Sequence, residues 1–353
     1  MPLISFDELK SIITRRGIPT NLLLGNGFSI GAFPNTFSYA KIFNNADFTG
    51  HDLLQKVFER LGTHDFEKVM QYLSDLSKTQ DLFMSNGINL ATEIEFLKEI
   101  LIKTISSSHP DRPDAIDDNR YKAAADFVQF FRKTHKSPGK YLGGKVFSLN
   151  YDLLLYWIIN RQGITKECND GFTSDDDDNE YLVWSGEHSA IFADIWFLHG
   201  ALHIFDAGTT IKKNSWNRTD VGLIDQTREA LDRGYFPIFV TEGTSAEKKE
   251  KILHNPYLYA GYRQFASEMN QATKKDVEQT CLVIYGHSLD SSDDHILSAI
   301  TSGKVQSVYV SLYGPETDAA NLNIIDRCKY LSAKAAGKLD FTFFSAESVG
   351  LWN

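Results

Sequence analysis

Cysteine is scarce: Cys168, Cys281 and Cys328 are the only three in 353 residues. Their odd number and wide spacing exclude a disulfide framework and a Cys-x-x-Cys zinc pair. No apolar run approaches the roughly 20 residues that span a bilayer. The segment from Met1 to Arg16 has no signal-peptide core. Basic charge is outweighed, with 36 Lys and Arg against 46 Asp and Glu and a formal net charge of −10. That balance argues against a chain that wraps nucleic acid itself, though not against a partner that does. Cytoplasm is therefore the expected compartment, with no membrane contact and no direct nucleic-acid contact. What is present is ordinary for a globular protein, 42% hydrophobic and 23% charged. The length fits one large domain with an insertion, or two domains.

Hydrophobic spacing divides the chain. Phe6, Leu9, Ile12 and Ile13 fall at helical spacing and lead into an apolar strand at 21–24. From about 36 to 140 the apolar residues keep helical spacing (Leu53, Leu54, Val57, Phe58; Ile94, Leu97, Leu101) and no strand is expected. After that, strand-like runs at 145–148, 194–198, 236–241, 280–285, 306–311 and 340–344 alternate with helical segments, the pattern of a parallel sheet covered on both faces. The expected fold is α/β: a Rossmann-like, mainly parallel sheet from 18–35 plus 141–353, interrupted by an all-helical insertion at 36–140. The four aspartates at 175–178 read as a solvated loop.

Ligands of parallel α/β sheets gather at the carboxyl ends of the strands. Three polar loops follow three apolar runs here. Leu22-Leu23-Leu24 empties into Gly25-Asn26-Gly27-Phe28-Ser29; Val146-Phe147 into Ser148-Leu149-Asn150-Tyr151-Asp152; Ile195-Trp196-Phe197 into Leu198-His199-Gly200. Glycine lets backbone amides approach a pyrophosphate, and Ser29 adds a hydroxyl donor; a tight strand-to-helix turn also wants glycine. The spacing is G-x-G-x-x-x-G, without the acidic strand end about 20 residues on that the dehydrogenase ribose contact requires, so hydride transfer is not expected. Asn150 can bond a ribose hydroxyl or hold a water, or stabilise its own turn. Asp152 opens a helix and suits an N-cap. His199 titrates near neutrality, as a general base should, although a lone histidine is commonly structural. A fourth loop, Tyr285-Gly286-His287-Ser288, runs on to Asp293-Asp294-His295; Gly286 and Ser288 suit a second side of a nucleotide, and Asp293 a helix cap. His51, His109, His135 and His188 lie in polar segments and carry no functional expectation.

In this order the motifs resemble the sirtuin-like NAD-binding fold, and more narrowly the zinc-free bacterial sirtuin-like NAD hydrolases of antiphage defence, over about residues 20–345. The resemblance implies Asn150 and His199 as the catalytic pair. It implies NAD as substrate, bound by Gly25, Asn26, Gly27, Phe28, Ser29 and Asp152 and, on the adenosine side, by Gly286 and Ser288, with His287 more tolerant of change than His199. Deacylating sirtuins carry a four-cysteine zinc ribbon that three dispersed cysteines cannot build, so no metal is expected. The implied activity is cleavage of NAD to nicotinamide and ADP-ribose, gated by a signal ligand, a homo-oligomer, or an operon partner such as a hexameric ATPase or an Argonaute-like protein. The alternatives are a deacylase or ADP-ribosyltransferase, or a non-catalytic NAD or ADP-ribose sensor.

Overall fold

The computed structural model describes residues 3–79, 88–132, 136–137, 140–141, 143–161, 169–174, 181–186, 193–216, 221–241, 243–271 and 280–352. Cys168, His135, His188 and the acidic stretch 175–178 lie outside the described residues. Six strands make the main sheet: β1 (Thr20–Leu24), β4 (Val146–Ser148), β7 (Ile195–Phe197), β11 (Cys281–Tyr285), β12 (Ser307–Leu312) and β13 (Asp340–Ser345). All pair in parallel, in the order β13-β12-β11-β1-β4-β7. From β1 the chain winds outward through β4 and β7, then returns beside β1 and winds the other way. That is the doubly wound Rossmann order, with its switch point between β1 and β11. Every residue of β1, β4, β7, β11 and β12 is buried. Burial on both faces explains why these strands read as unbroken apolar runs rather than alternations. Only the edge strand β13 mixes buried and exposed positions.

Helices flank the sheet. α1 (Phe6–Arg16) starts on a capping box, with Ser5 and Glu8 bonding each other's backbone amides, and it ends on left-handed Gly17. Among the described residues, seven α-helices separate β1 from β4: α2 (Gly27–Ala32), α3 (Pro34–Phe37), α4 (Tyr39–Asn45), α5 (Asp52–Leu61), α6 (Phe66–Ser77), α7 (Leu90–Ser108) and α8 (Asp118–Arg132). α8 packs on β1 and β4, and its Phe127 lies 5.4 Å from Phe6 and 5.2 Å from Tyr285, ring centre to ring centre. The buried side chains of the helical segment and the sheet form one continuous core. A two-residue antiparallel pair, β2 (Lys136–Ser137) and β3 (Lys140–Tyr141), closes the segment. It is too short to leave a pattern, so the strand-free expectation fails at its last few residues.

A second sheet was not expected. β5 (Phe172–Ser174), β6 (Tyr181–Trp184), β8 (Gly200–Asp206), β9 (Ile211–Asn214) and β10 (Pro237–Phe239) pair antiparallel in the order β10-β8-β9-β6-β5. The apolar run at 236–241 belongs here as β10, not in the parallel sheet. The preceding helix α10 (Leu223–Asp232) imitates a crossover. The chain leaves the parallel sheet at Gly200, where φ is +80° and a Cβ would stand 1.7 Å from the Ile238 carbonyl oxygen, so only glycine passes. The remaining α-helices among the described residues are α9 (Leu154–Arg161), α11 (Ser245–His254), α12 (Pro256–Met269), α13 (Asp294–Ser302) and α14 (Ala319–Lys334). Among the described residues no helix is long and apolar enough to cross a membrane.

Candidate functional site

Four neighbouring strands end in register. Leu24 pairs with Tyr285 on one side and Ser148 on the other, and Ser148 pairs with Phe197. Two residues beyond these stand His287, Asn26, Asn150 and His199, a polar row across the carboxyl edge of β11, β1, β4 and β7. The row straddles the switch point, the usual ligand crevice of such sheets.

On the β1–β4 side the expected residues meet. Asn150 Nδ2 donates to Ser29 Oγ at 3.0 Å, and Ser29 Oγ donates to Asp152 Oδ2 at 2.5 Å. Asp152 Oδ1 accepts the Leu154 amide at 2.8 Å, so Asp152 does cap α9. Burial pushes the Asp152 carboxyl upward, against the hydrogen bonds from Ser29 and Leu154. Asn150 is 6% exposed, and its Oδ1 has no hydrogen-bond partner among the described residues. The glycine loop itself is closed. The Gly25 amide donates to Tyr285 O at 2.9 Å and the Gly27 amide to Gly286 O at 2.7 Å. A Cβ on Gly25 would come within 2.7 Å of Gly286 O and His287 Cα, and one on Gly27 within 2.7 Å of Gly286 Cα. These glycines admit the β11 loop at close range. Phe28 is buried beneath the loop, 5.1 Å from Trp352, while Ser288 is exposed. Gly25→Ala should destabilise the fold by about 1–3 kcal/mol, as overpacking against backbone does; a urea midpoint unchanged from wild type would show that the two loops part freely.

On the β7–β11 side stands a cluster that sequence reasoning missed in part. His199 is 2% exposed, and its Nε2 lies 2.9 Å from His295 Nε2 and 3.8 Å from Asp293 Oδ1. Asp293 Oδ2 accepts from His287 Nε2 at 3.0 Å, while His287 Nδ1 accepts the Leu289 amide at 2.9 Å. That acceptor role leaves His287 Nδ1 unprotonated, which assigns the ring proton to Nε2. Leu289 pays for this loop with a left-handed φ of 57°, at a cost of order 1–2 kcal/mol. His287 is thus an anchored part of the cluster rather than a bystander. Asp293 makes no capping bond to α13, contrary to the expectation, because its carboxylate faces the histidines.

Lys248 of α11 closes the cluster. It is 1% exposed, with Nζ 2.5 Å from Glu67 Oε2 and 3.6 Å from Asp293 Oδ1. A Thr244–Glu247 capping box starts its helix and orients that turn. Glu67 comes from α6, so the helical segment covers the strand ends. Tyr151 Oη is 2.9 Å from Val240 O and 3.2 Å from Glu67 Oε1. The single hydroxyl hydrogen can serve only one of these two acceptors at a time. Burial pushes Glu67 up to about 7 despite the ammonium beside it, with Asp293 adding to the rise. Burial lowers His199 well below its ordinary value, and His295 to about 4, so both imidazoles are neutral. Burial works to raise Asp293, but the His287 hydrogen bond and the Lys248 ammonium outweigh it and lower its carboxyl. Lys248 stays charged because Glu67 and Asp293 outweigh its own burial.

A sign follows for Glu67. Its carboxyl binds a proton more tightly in the folded chain, so its contribution to stability is complete below about 4.5 and is lost as pH rises through about 7. Referred to Glu67→Gln, which cannot ionise, wild-type stability should fall by roughly 1–3 kcal/mol across that window. Denaturant titrations of both proteins at several pH values measure it; a difference that is flat with pH would mean that Glu67 is solvated.

Other histidines do structural work. His109, which the sequence leaves in a polar segment, is buried against Trp157, and its Nε2 accepts the Leu153 amide at 3.2 Å at the start of α9. Cys281 and Cys328 are buried.

The fold and the site define a Rossmann-like α/β protein with a polar row on the carboxyl edge of its parallel sheet, buried at His287, Asn150 and His199 and half-buried at Asn26. More narrowly, the chain belongs to the family described as a domain of unknown function, DUF4917, whose model matches residues 22–352. No curated protein matches the chain.

Proposed function

We propose that the protein is an NAD hydrolase, releasing nicotinamide and ADP-ribose, and that it serves as a gated effector of antiphage defence. The observation that carries this reading is the strand-end row: a buried asparagine with a free carbonyl oxygen and a neutral histidine in register on adjacent strands, beside the glycine loop of the switch point. The N-glycosidic bond breaks with its electron pair leaving on nicotinamide, and positive charge develops on the ribose. Asn150 Oδ1 would orient a ribose hydroxyl or the attacking water. His199 would take the proton of that water as its oxygen bonds to the ribose carbon. The carboxylates of Asp293 and Glu67 favour developing positive charge nearby. Nothing in these steps calls for a metal.

Burial of the row supports the gate. NAD must displace the α6 cover, or part the glycine loops, before it meets Asn150 and His199. A signal ligand, a homo-oligomer, or an operon partner such as a hexameric ATPase or an Argonaute-like protein would supply that opening. The same closure also favours one rival, a sensor that binds NAD or ADP-ribose without turnover. The deacylase reading gains nothing, since Cys281 and Cys328 are buried in β11 and α14. The test is quantification of nicotinamide and ADP-ribose from NAD with the purified protein, alone and with its genomic neighbour. Binding without product under both conditions would leave the sensor.

A further inference from the structure

We propose that His199, His295 and Asp293 form a binding site for a divalent first-row transition metal ion, with Zn²⁺ the best-suited occupant. Their ligand atoms, two imidazole nitrogens and a carboxylate oxygen, all lie within 4.8 Å of one another. Zinc bonds of about 2.0–2.1 Å imply tetrahedral ligand separations of roughly 3.3 Å. The two measured separations, 2.9 Å between the Nε2 atoms and 3.8 Å from His199 Nε2 to Asp293 Oδ1, bracket that value. Small side-chain rotations bring both into range. Two histidines and one carboxylate leave a position open, as catalytic zinc sites do.

Two further features favour an ion over a bare hydrogen bond between histidines. Asp293 Oδ1 is a buried oxygen with no hydrogen-bond partner among the described residues; Lys248 Nζ stands 3.6 Å away on one side and His199 Nε2 3.8 Å away on the other. The surrounding contacts act as outer-shell partners: His287 Nε2–H holds the other oxygen of Asp293, and Ser245 Oγ lies 3.3 Å from His295 Nδ1, fixing which nitrogen faces inward. Bound there, the ion occupies His199 Nε2. Metal loading and proton transfer through that atom therefore exclude each other, but the site itself does not depend on NAD cleavage.

Binding can be read directly. The full-length protein, stripped with chelator and dialysed, is titrated with Co²⁺ while visible absorption is followed, and Zn²⁺ is then added as competitor. The expected result is one equivalent bound with the intense bands of low-coordinate Co²⁺, bleached by Zn²⁺. Affinity should fall at least about 10-fold in His295→Ala. His199→Asn provides a second ligand variant should His295→Ala not fold. The surface pair His51–Glu93, with Nδ1 and Oε2 3.8 Å apart, is the control. A folded wild type that binds no Co²⁺ overturns the proposal, as does binding that survives in the ligand variants and is lost in His51→Ala.

Discussion

Replacing His199 with alanine should reduce nicotinamide release by about 10²–10⁴-fold, the usual effect of losing a general base. Asn150→Ala should fall in the same range, because the buried Oδ1, which has no hydrogen-bond partner among the described residues, goes with it. Neither side chain belongs to the apolar core, but His199 is buried, and truncation leaves His295 Nε2 without its 2.9 Å contact. An unsatisfied buried group costs about 1–3 kcal/mol, so each variant needs a denaturation curve beside its rate. His199→Asn keeps a polar group in the space and separates lost chemistry from lost stability. Wild-type turnover by folded His199→Ala would falsify the assignment of the base and leave a nucleotide-binding protein at most. Asp152→Ala should behave otherwise: the α9 cap goes, stability drops by roughly 0.5–2 kcal/mol, and activity partly survives.

The second large effect concerns stability. Lys248→Met should destabilise the protein by about 3–5 kcal/mol, since breaking a buried ion pair strands the opposite charge. Two carboxylates are stranded here, Glu67 and Asp293, and they come from distant parts of the chain. Glu67→Gln in the Lys248→Met background should recover part of that loss, because a neutral amide in place of the carboxylate removes one of the two repelling groups. Urea unfolding of the two single variants and the double variant gives the coupling directly. A loss below about 1 kcal/mol, the scale of exposed pairs, would mean that water reaches Lys248.

The parallel sheet was legible because its strands are buried on both faces, and such strands appear in sequence as apolar runs such as Leu22-Leu23-Leu24 and Leu282-Val283-Ile284. Their polar continuations gave the strand-end row, and Asp152 was readable as a cap from its place before α9. The antiparallel sheet was not legible. Its strands are mostly three or four residues long, and β9 carries Lys212 and Lys213, the second buried in an ion pair with Asp170. Pairing across space can reverse what local polarity suggests. Lys248 lies in a segment rich in lysine and glutamate that reads as solvated, yet it is buried on a partner 181 positions away. His295 and Asp293 have the spacing of an ordinary helix start; only the fold turns them toward His199. The contact of the glycines with a second strand-end loop was illegible for a related reason, since a glycine that admits such a loop looks in sequence like one that admits a phosphate.

That contact gives the molecule a gear. The Gly25–Gly27 turn and the Gly286–His287 turn belong to nearly opposite ends of the chain, yet two backbone hydrogen bonds and an absence of side-chain space mesh them tooth against tooth. Anything that wedges the first turn aside must carry the second with it. The second turn holds His287, His287 holds Asp293, and Asp293 faces His199 and Lys248. A push at the end of β1 is thereby delivered at the end of β7, three strands along the sheet from β11.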